Sequence, residues 1–376
     1  MKRTRIVFLS ASIGAVLLFA GVLMANRSNQ DVLFRALGNL AEVVHLVETE
    51  YVDELNHEAL SMSLDAGLVE PLDRSAAVLP SDRINEYLEF VGSPPAFGLG
   101  LATRLGSASV YFVLQGSPAE TAGLARWEVI ELVEGVNSRG RPLWQIRLDL
   151  MERERLGETV RLAVFDREVD ERREVILEPA QWTVRPATVE VLNEATVIRI
   201  EALPENGVSS VVELVPAVGP LVLDLRELRW GTEDAAIALA DAFVEAGVLG
   251  GWQGRRAGSK TFAATQGSIV ASAPVVLVDH TTQGIAEILA EALQRNGAVV
   301  VGEKTVGHAS YMSLVRDGDV AVWMPVGQWL RADDEPINGN GVEPDELVEV
   351  ADPDADEDPV LARALEVLSR ALPEAA

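Results

Sequence analysis

The polar residues best suited to chemistry lie in a short stretch between two apolar runs. The run Val275–Val278 has the pattern of a buried strand, and apolar residues recur at helical spacing from Ile285 onward. The turn His280–Gly284 therefore connects the end of a strand to the start of a helix. Free backbone N–H groups and the helix dipole at such a point favour negative charge. We expect a nucleophile or an oxyanion to be placed at a turn of this kind.

Two hydroxyl groups near this turn are candidates for pairing with an imidazole. Thr282 lies within the turn and Ser310 lies two residues after His308, and a hydroxyl next to an imidazole can act as a nucleophile. A helix cap is the alternative role for Thr282, because it lies beside the predicted helix start. No third ligand with a recognisable spacing accompanies His280 and His308, so we predict no metal site and no cofactor.

Residues on both sides of the turn match a known motif. The residues that match a known protease motif are Val278, Glu287–Ile288, Ala292–Leu293–Gln294, Val300–Glu303, Thr305 and Gly307. Through them the chain resembles the carboxyl-terminal processing proteases, also called tail-specific proteases. The resemblance implies a serine-peptidase fold and a site at the turn.

The three catalytic positions of that family have all changed in this chain. The resemblance places the serine nucleophile on Gly284, the general-base lysine on His308 and the supporting glutamine on Met312. Thr282 and Ser310 each lie two positions from a matching one, which displaces an attacking atom by several ångströms, whereas reacting geometry tolerates about 1 Å. They are therefore the weaker, substitute candidates for a nucleophile.

A second group of motifs resembles a PDZ domain of the kind found in processing proteases. It consists of Phe97, Gly98, Leu99, Gly100 and Leu101, followed by Gly116-Ser117-Pro118-Ala119 and Ala122-Gly123-Leu124. Glycines in the first motif allow successive backbone N–H groups to turn inward and hold a terminal carboxylate, while the adjacent strand pairs with an extended peptide. We therefore predict that Phe97–Leu101 binds peptide C-termini.

The oxyanion region is predicted from a third match. Asp224-Leu225-Arg226 matches the family's D-L-R motif, after which the family carries N-P-G-G. Here Arg229-Trp230-Gly231 follows, so the predicted oxyanion region consists of Gly231 and Gly284.

The fold class predicted from these patterns is α/β, with a processing-protease-like layered core, a β-rich PDZ-like domain and a helical N-terminal region. The predicted parts are a membrane anchor or signal segment (1–26), a helical region (27–92), a PDZ-like domain (93–180), an α/β core (181–351), and an acidic linker with a C-terminal helix (352–376).

Composition narrows the classes of partner. The chain has 376 residues, no cysteine and a formal net charge of −27. The absence of cysteine excludes disulfides and thiol chemistry. The strong negative charge argues against nucleic acid as a partner.

The N-terminus predicts a membrane segment. Ile6–Ala25 is an uncharged, mostly apolar run long enough to span a bilayer, and Lys2, Arg3 and Arg5 precede it. We predict a single pass through the inner (cytoplasmic) membrane with the rest of the chain periplasmic. Secretion after cleavage of a signal peptide is the alternative.

The function predicted from the sequence is that of an envelope-anchored pseudo-peptidase, a scaffold or regulator that binds peptides through its PDZ-like domain. Its partners would be protein C-terminal peptides or an envelope protein, in a possible homo- or hetero-oligomer. Two alternatives stay open: an active serine-type endopeptidase that uses the hydroxyl of Thr282 or Ser310, and a purely structural envelope component.

Overall fold

The computed structural model describes residues 34–52, 57–69, 71–73, 75–104, 106–216, 218–265, 267–270, 273–318, 320–349 and 357–371. The chain divides into two compact units with the boundary between Ser61 and Met62. The predicted membrane segment Ile6–Ala25 lies outside the described residues and stays a prediction. Within the described ranges, no helix has both the length and the apolar character needed to cross a membrane.

The helices are α1 (34–50), α2 (His57–Val69), α3 (Ile84–Gly92), α4 (Pro118–Thr121), α5 (Leu143–Leu156), α6 (Gly207–Val212), α7 (Glu233–Phe243), α8 (Ile285–Arg295) and α9 (Pro359–Ala371), with a 3₁₀ turn at Ala96–Gly98. The strands before the core are β1 (Ala77–Pro80), β2 (Leu99–Arg104), β3 (Ser107–Val113), β4 (Val129–Val133), β5 (Val136–Asn137), β6 (Val160–Asp166) and β7 (Glu171–Leu177). The remaining strands are β8 (Ala187–Leu192), β9 (Ala195–Ile200), β10 (Ala202–Leu203), β11 (Leu221–Asp224), β12 (Trp230–Gly231), β13 (Val248–Gly254), β14 (Gly258–Ala263), β15 (Val275–Val278), β16 (Val299–Gly302), β17 (Ser310–Asp317), β18 (Val320–Trp329) and β19 (Glu346–Leu347).

The core is a six-stranded sheet in the order β19-β16-β15-β11-β9-β8. Its strands pair in parallel except for β8, which is antiparallel to β9. Every residue of β11 and β15 is buried, as expected for parallel strands covered on both faces. Helices α6, α7 and α8 pack on one face and α9 packs on the other. The predicted layered α/β fold is confirmed.

An arginine that lies between two carboxylates joins the N-terminus of helix α9 to the core. Arg226 donates to both oxygens of Asp224, at 2.9 and 2.8 Å, and to both oxygens of Asp358, at 3.1 and 2.7 Å. Asp358 also accepts the Val360 and Leu361 N–H groups, so it caps the N-terminus of α9. The D-L-R motif therefore has a structural role at the sheet face opposite α7 and α8.

We expect Asp358→Asn to lower the free energy of unfolding near neutral pH but not in acid. Burial alone raises the pKa of Asp358, but hydrogen bonds from Arg226 and the Leu361 N–H outweigh it, so the pKa lies below its ordinary value of 3.8. A carboxyl with a lowered folded-state pKa contributes stability above its unfolded pKa, and this contribution is lost as the pH falls through the folded-state pKa.

Urea unfolding of both proteins near pH 7 and near pH 2 measures this difference. Asp317→Asn, at the exposed end of β17, is the matched control and should leave stability unchanged at both pH values. A deficit of Asp358→Asn that is equally large at both pH values would contradict the assignment.

A second sheet forms the β-rich region predicted to be PDZ-like. Its antiparallel strands follow the order β2-β3-β4-β6-β7, with β5 paired to β4, and β2 is an edge strand. Helix α5 packs against β2 and the 3₁₀ turn, and its Ile146 and Leu150 enter the same apolar cluster as Phe97. The domain boundaries drawn around this region stay a prediction.

The third sheet includes one strand, β1, from the N-terminal region that was predicted to be helical. Strand β1 pairs antiparallel with β18, in the order β1-β18-β13-β14, and β17 pairs antiparallel with β18 from Val320 to Gln328. Ala77 lies opposite Trp323, far along the chain. A four-residue apolar run has no clear period, so its strand conformation depends on this distant partner.

Candidate functional site

Gly284 lies at the sharp turn between β15 and α8. Its φ of 65° and ψ of −123° favour glycine. A Cβ added here would have the His308 carbonyl oxygen, at 3.8 Å, as its nearest neighbour. The position therefore has space for a small side chain, and the glycine is not enforced by crowding.

The carboxylate of Glu287, which is fully buried, organises the surroundings of this turn. It accepts the Gly284 N–H at 3.0 Å and the His308 N–H at 2.8 Å through Oε2. Through Oε1 it accepts the Gly307 N–H at 2.6 Å and the Thr305 hydroxyl at 2.5 Å. One side chain thus joins the start of α8 to the 305–308 turn.

The 305–308 turn packs against the glycine-rich turn near residue 340. The Thr305 hydroxyl accepts the Val342 N–H at 2.8 Å. A Cβ on Gly307 would lie 2.7 Å from the Gly341 nitrogen, and a Cβ on Gly341 would lie 2.5 Å from the Thr305 carbonyl oxygen. Both glycines are required because the two backbones approach each other closely.

His308, at the position of the family's lysine, faces a carboxylate that the sequence did not assign. Its Nε2 lies 3.1 Å from Oδ2 of Asp73, whose side chain is 5% exposed. The other oxygen of Asp73 accepts the Ser75 N–H at 2.8 Å. The Leu72-Asp73 pair resembles part of a family motif, and this is the signal in the sequence that points to Asp73.

Met312 lies on β17 beside a bulge, opposite Pro325 of β18. A thioether is only a weak hydrogen-bond acceptor and cannot orient a base as an amide can. The structure thus brings Gly284 and His308 together at the turn, and it places at the third position a side chain without amide chemistry.

The two substitute hydroxyls are poorly placed for nucleophilic attack. Thr282 is 1% exposed, donates to the Asp279 carboxylate at 3.0 Å and accepts the Asp279 N–H at 2.9 Å. The hydroxyl of Ser310 is buried, and among the described residues it has no hydrogen-bond partner. The geometry of Thr282 is that of a turn-stabilising residue, whereas the N-cap of α8 is Gly284, so Thr282 is not the helix cap named as its alternative role.

Arg229 reaches the turn from the strand-end loop that carries the oxyanion region. It donates to the Thr281 carbonyl oxygen at 3.2 Å and to the Thr281 hydroxyl at 3.1 Å. Gly231 packs next to α8, where an added Cβ would lie 2.5 Å from Cδ1 of Ile285. The two predicted oxyanion-region residues, Gly231 and Gly284, therefore border the same helix start.

The β-rich region contacts the turn directly. The Gln283 amide donates to the hydroxyl of Tyr111, which lies on β3. A neighbouring cavity of about 330 Å³ is lined by Arg126 from the β-rich region and by Arg229 and Glu227 from the core. Burial and, after it, the positive charge of Arg229 lower the pKa of Arg126. The β-rich region and the turn at Gly284 therefore adjoin each other in this chain.

The loop Phe97–Leu101 differs from the open carboxylate site that was predicted. Phe97, Leu99 and Leu101 are buried in the core of their own sheet. The Gly98 N–H donates to Pro95 O at 2.9 Å, the Leu99 N–H to Ala96 O, and the Phe97 N–H to the Glu154 carboxylate at 2.9 Å. These donors are therefore already satisfied within the chain.

The two motifs of the PDZ resemblance nevertheless pack together. A Cβ on Gly98 would lie 2.2 Å from Cβ of Ser117, and a Cβ on Gly100 would lie 2.3 Å from the Phe112 ring. Ser117 caps α4 by accepting the Glu120 N–H at 3.2 Å.

His280 is an exposed residue whose Nδ1 lies 2.6 Å from the carboxylate of Glu303. Within the described ranges, no cluster of three His, Cys, Asp or Glu side chains could hold a metal ion.

Comparison with known proteins agrees with this geometry. Residues 196–348 match peptidase family S41. A carboxyl-terminal-processing protease of a Picosynechococcus species is 29% identical over 251 residues, which cover 64% of this chain and 60% of the relative. A probable CtpA-like serine protease of Staphylococcus aureus is 22% identical over 326 residues, which cover 83% of this chain and 65% of the relative. The chain thus spans less than two thirds of the length of these relatives.

Among solved structures, the photosystem II D1 C-terminal processing protease has a similar fold. The TM-score is 0.60 at 21% identity, with 86% of this chain and 90% of that chain covered. At this identity the likeness concerns the fold alone. Residues 196–348 therefore match peptidase family S41, and the chain is similar to the carboxyl-terminal processing proteases.

Proposed function

We propose that this protein is a pseudo-peptidase of the carboxyl-terminal processing type, which binds protein C-terminal segments as a scaffold or regulator. The observation that carries the proposal is Gly284, which retains the sharp strand-to-helix turn and space for a side chain but offers no nucleophile. Four donors bind the carboxylate of Glu287 and hold this turn in a defined geometry, which supports a role in binding.

The other residues of the site support the same proposal. His308 is held by Asp73, but an imidazole at the base position has no hydroxyl at Gly284 to activate. Thr282 is buried with its hydroxyl engaged. In a serine protease, loss of the nucleophile costs roughly 10⁶-fold in turnover. Binding is the function that remains available to the retained architecture.

The cellular setting belongs to the same proposal. An N-terminal anchor over residues 6–25 would hold the protein at the inner membrane with its folded part in the periplasm. Its partners there would be protein C-termini or an envelope protein, in a homo- or hetero-oligomer. Relatives named as C-terminal processing proteases make the C-terminal segment of a protein the most direct choice of ligand.

We expect residues 27–376, purified as one piece, to show no peptidase turnover and no labelling by a fluorophosphonate probe. The reason is the absence of an activated hydroxyl at Gly284. A protein substrate with an apolar C-terminus and mass spectrometry of the products measure turnover, and trypsin in the same reaction is the positive control.

Thr282→Ala and Ser310→Ala are the variants that distinguish the alternatives. If the wild-type protein cleaves the substrate and either variant abolishes cleavage, the protein is an active endopeptidase with a displaced nucleophile. Cleavage or labelling of that kind would overturn the pseudo-peptidase proposal.

A further inference from the structure

Two hydrogen-bond donors from different parts of the chain converge on one carboxylate oxygen beside the 96–98 turn. The Phe97 N–H lies 2.9 Å, and the Trp182 indole N–H 3.1 Å, from Oε1 of Glu154. Glu154 belongs to α5, and Trp182 lies in the connection between β7 and β8. The region thus contains a formed carboxylate site, and a side chain of the same region occupies it.

A second side chain of α5 occupies the adjacent strand edge. Nη2 of Arg147 donates to the Leu101 carbonyl oxygen at 2.5 Å. Leu101 belongs to β2, which ends the sheet and has no strand on its outer side in the described sheet order. Arg147 and Glu154 are seven residues apart, so they lie on the same face of α5, two turns from each other.

These two contacts reproduce those of an added peptide strand. A bound peptide of this kind places its terminal carboxylate on the loop N–H groups and its own N–H groups on the carbonyl oxygens of the edge strand. Here Glu154 supplies the carboxylate and Arg147 supplies the N–H donor. A peptide must therefore compete with groups that are covalently attached and always present.

We propose that Glu154 is an internal ligand of the carboxylate site, and that a peptide C-terminus displaces it and binds to the Phe97 N–H and the Trp182 indole N–H. This inference rests on the proposed peptide-binding function, and it adds to that function a regulatory contact and a binding residue, Trp182, outside the PDZ-like motifs. Arg147 closes the strand edge in the same way and must move from Leu101 before a peptide strand can pair there.

The proposal predicts that removal of Glu154 strengthens peptide binding. The probe is a fluorescein-labelled octapeptide that ends in three valines, with either a free C-terminal carboxylate or a C-terminal amide. We expect Glu154→Ala to lower the Kd of the free-acid peptide by about tenfold or more, because the binding-competent state no longer has to be opened. The amide should gain nothing, since it lacks the carboxylate.

Glu152→Ala is the matched control. Glu152 is an exposed residue of the same helix, and its replacement changes the net charge equally. It should leave the Kd of both peptides unchanged. Glu154→Gln keeps the size of the side chain and removes its charge, so it tests the same contact if the alanine variant unfolds; circular dichroism checks the fold of each variant.

Trp182 gives a readout that a purely structural role would not move. In ¹H–¹⁵N spectra of the whole of residues 27–376, its indole resonance, assigned through Trp182→Phe, should shift on Glu154→Ala and shift again when the free-acid peptide is added. In the Glu154→Ala background, Trp182→Phe should raise the Kd of the free-acid peptide and leave that of the amide unchanged.

The outcomes separate the two levels of the proposal. Equal binding of the free-acid peptide by wild type and Glu154→Ala, with the amide bound less well, would overturn the internal-ligand proposal and leave peptide binding standing. Failure of wild type and both Glu154 variants to bind either peptide would overturn the peptide-binding function itself, and the internal ligand with it.

Discussion

Replacement of Glu287 by alanine is expected to lower the free energy of unfolding by about 3–5 kcal/mol, because it leaves several buried donors without an acceptor. Glu287 is fully buried and accepts hydrogen bonds from Gly284, Thr305, Gly307 and His308. Water cannot readily replace the carboxylate between the start of α8 and the 305–308 turn. The local loss of stability should therefore be largest at the start of α8 and in the 305–308 turn.

Two measurements check this prediction. Urea unfolding gives the change in stability, and hydrogen exchange gives the protection of the Gly307 and His308 amides, which should fall more than that of β11. Glu303→Ala is the matched control, because Glu303 pairs with the exposed His280, and exposed pairs contribute about 1 kcal/mol or less. Similar effects of the two substitutions would refute a special role for Glu287.

The second large effect is expected from Gly302→Ala. Gly302 ends β16 with a φ of 134°, and an added Cβ would lie 1.9 Å from the carbonyl oxygen of Val278, its partner on β15. Neither backbone can move without breaking the central sheet that positions the turn at Gly284. We expect a loss of more than about 4 kcal/mol, or failure to fold.

Gly297→Ala separates the steric part of this effect from backbone strain. Gly297 has a φ of 96°, and a Cβ there would meet nothing within 4 Å, so only strain of about 1–3 kcal/mol applies. Thermal and urea unfolding of the two variants should therefore differ clearly. If Gly302→Ala is no less stable than Gly297→Ala, the close approach of β15 and β16 at this point is not a constraint on the fold.

Periodicity and motif spacing predicted the core elements well. The run Val275–Val278 is β15, and the helical spacing from Ile285 is α8. These elements are buried on all sides or carry a strong apolar face, so their local pattern and their tertiary role agree. Gly307 was identified from a family motif, and the structure supplies its physical reason, which is close contact with the turn at Gly341.

Contacts between residues that are far apart in the sequence could not be predicted from periodicity and motif spacing. No local pattern predicts that Ala77 pairs with Trp323, that Asp73 faces His308, or that Gln283 reaches Tyr111. Each of these contacts depends on how separate elements are brought together. The motif near Asp73 was visible, but only the structure gives it a partner.

By itself the sequence determined that the chain has an α/β core, and that Gly284 and His308 stand at the positions predicted, by resemblance, for a nucleophile and a base. Residue types and periodic patterns are local properties, so they can be read without the fold. Only the tertiary structure decided which hydroxyl and backbone N–H groups are already hydrogen-bonded within the chain. The hydroxyl of Thr282 is hydrogen-bonded within its own turn. The carboxylate of Glu154, from a helix later in the chain, accepts the Phe97 N–H of the predicted carboxylate loop. A motif specifies which donors a loop carries, whereas the occupancy of those donors depends on side chains that only packing brings within hydrogen-bond distance.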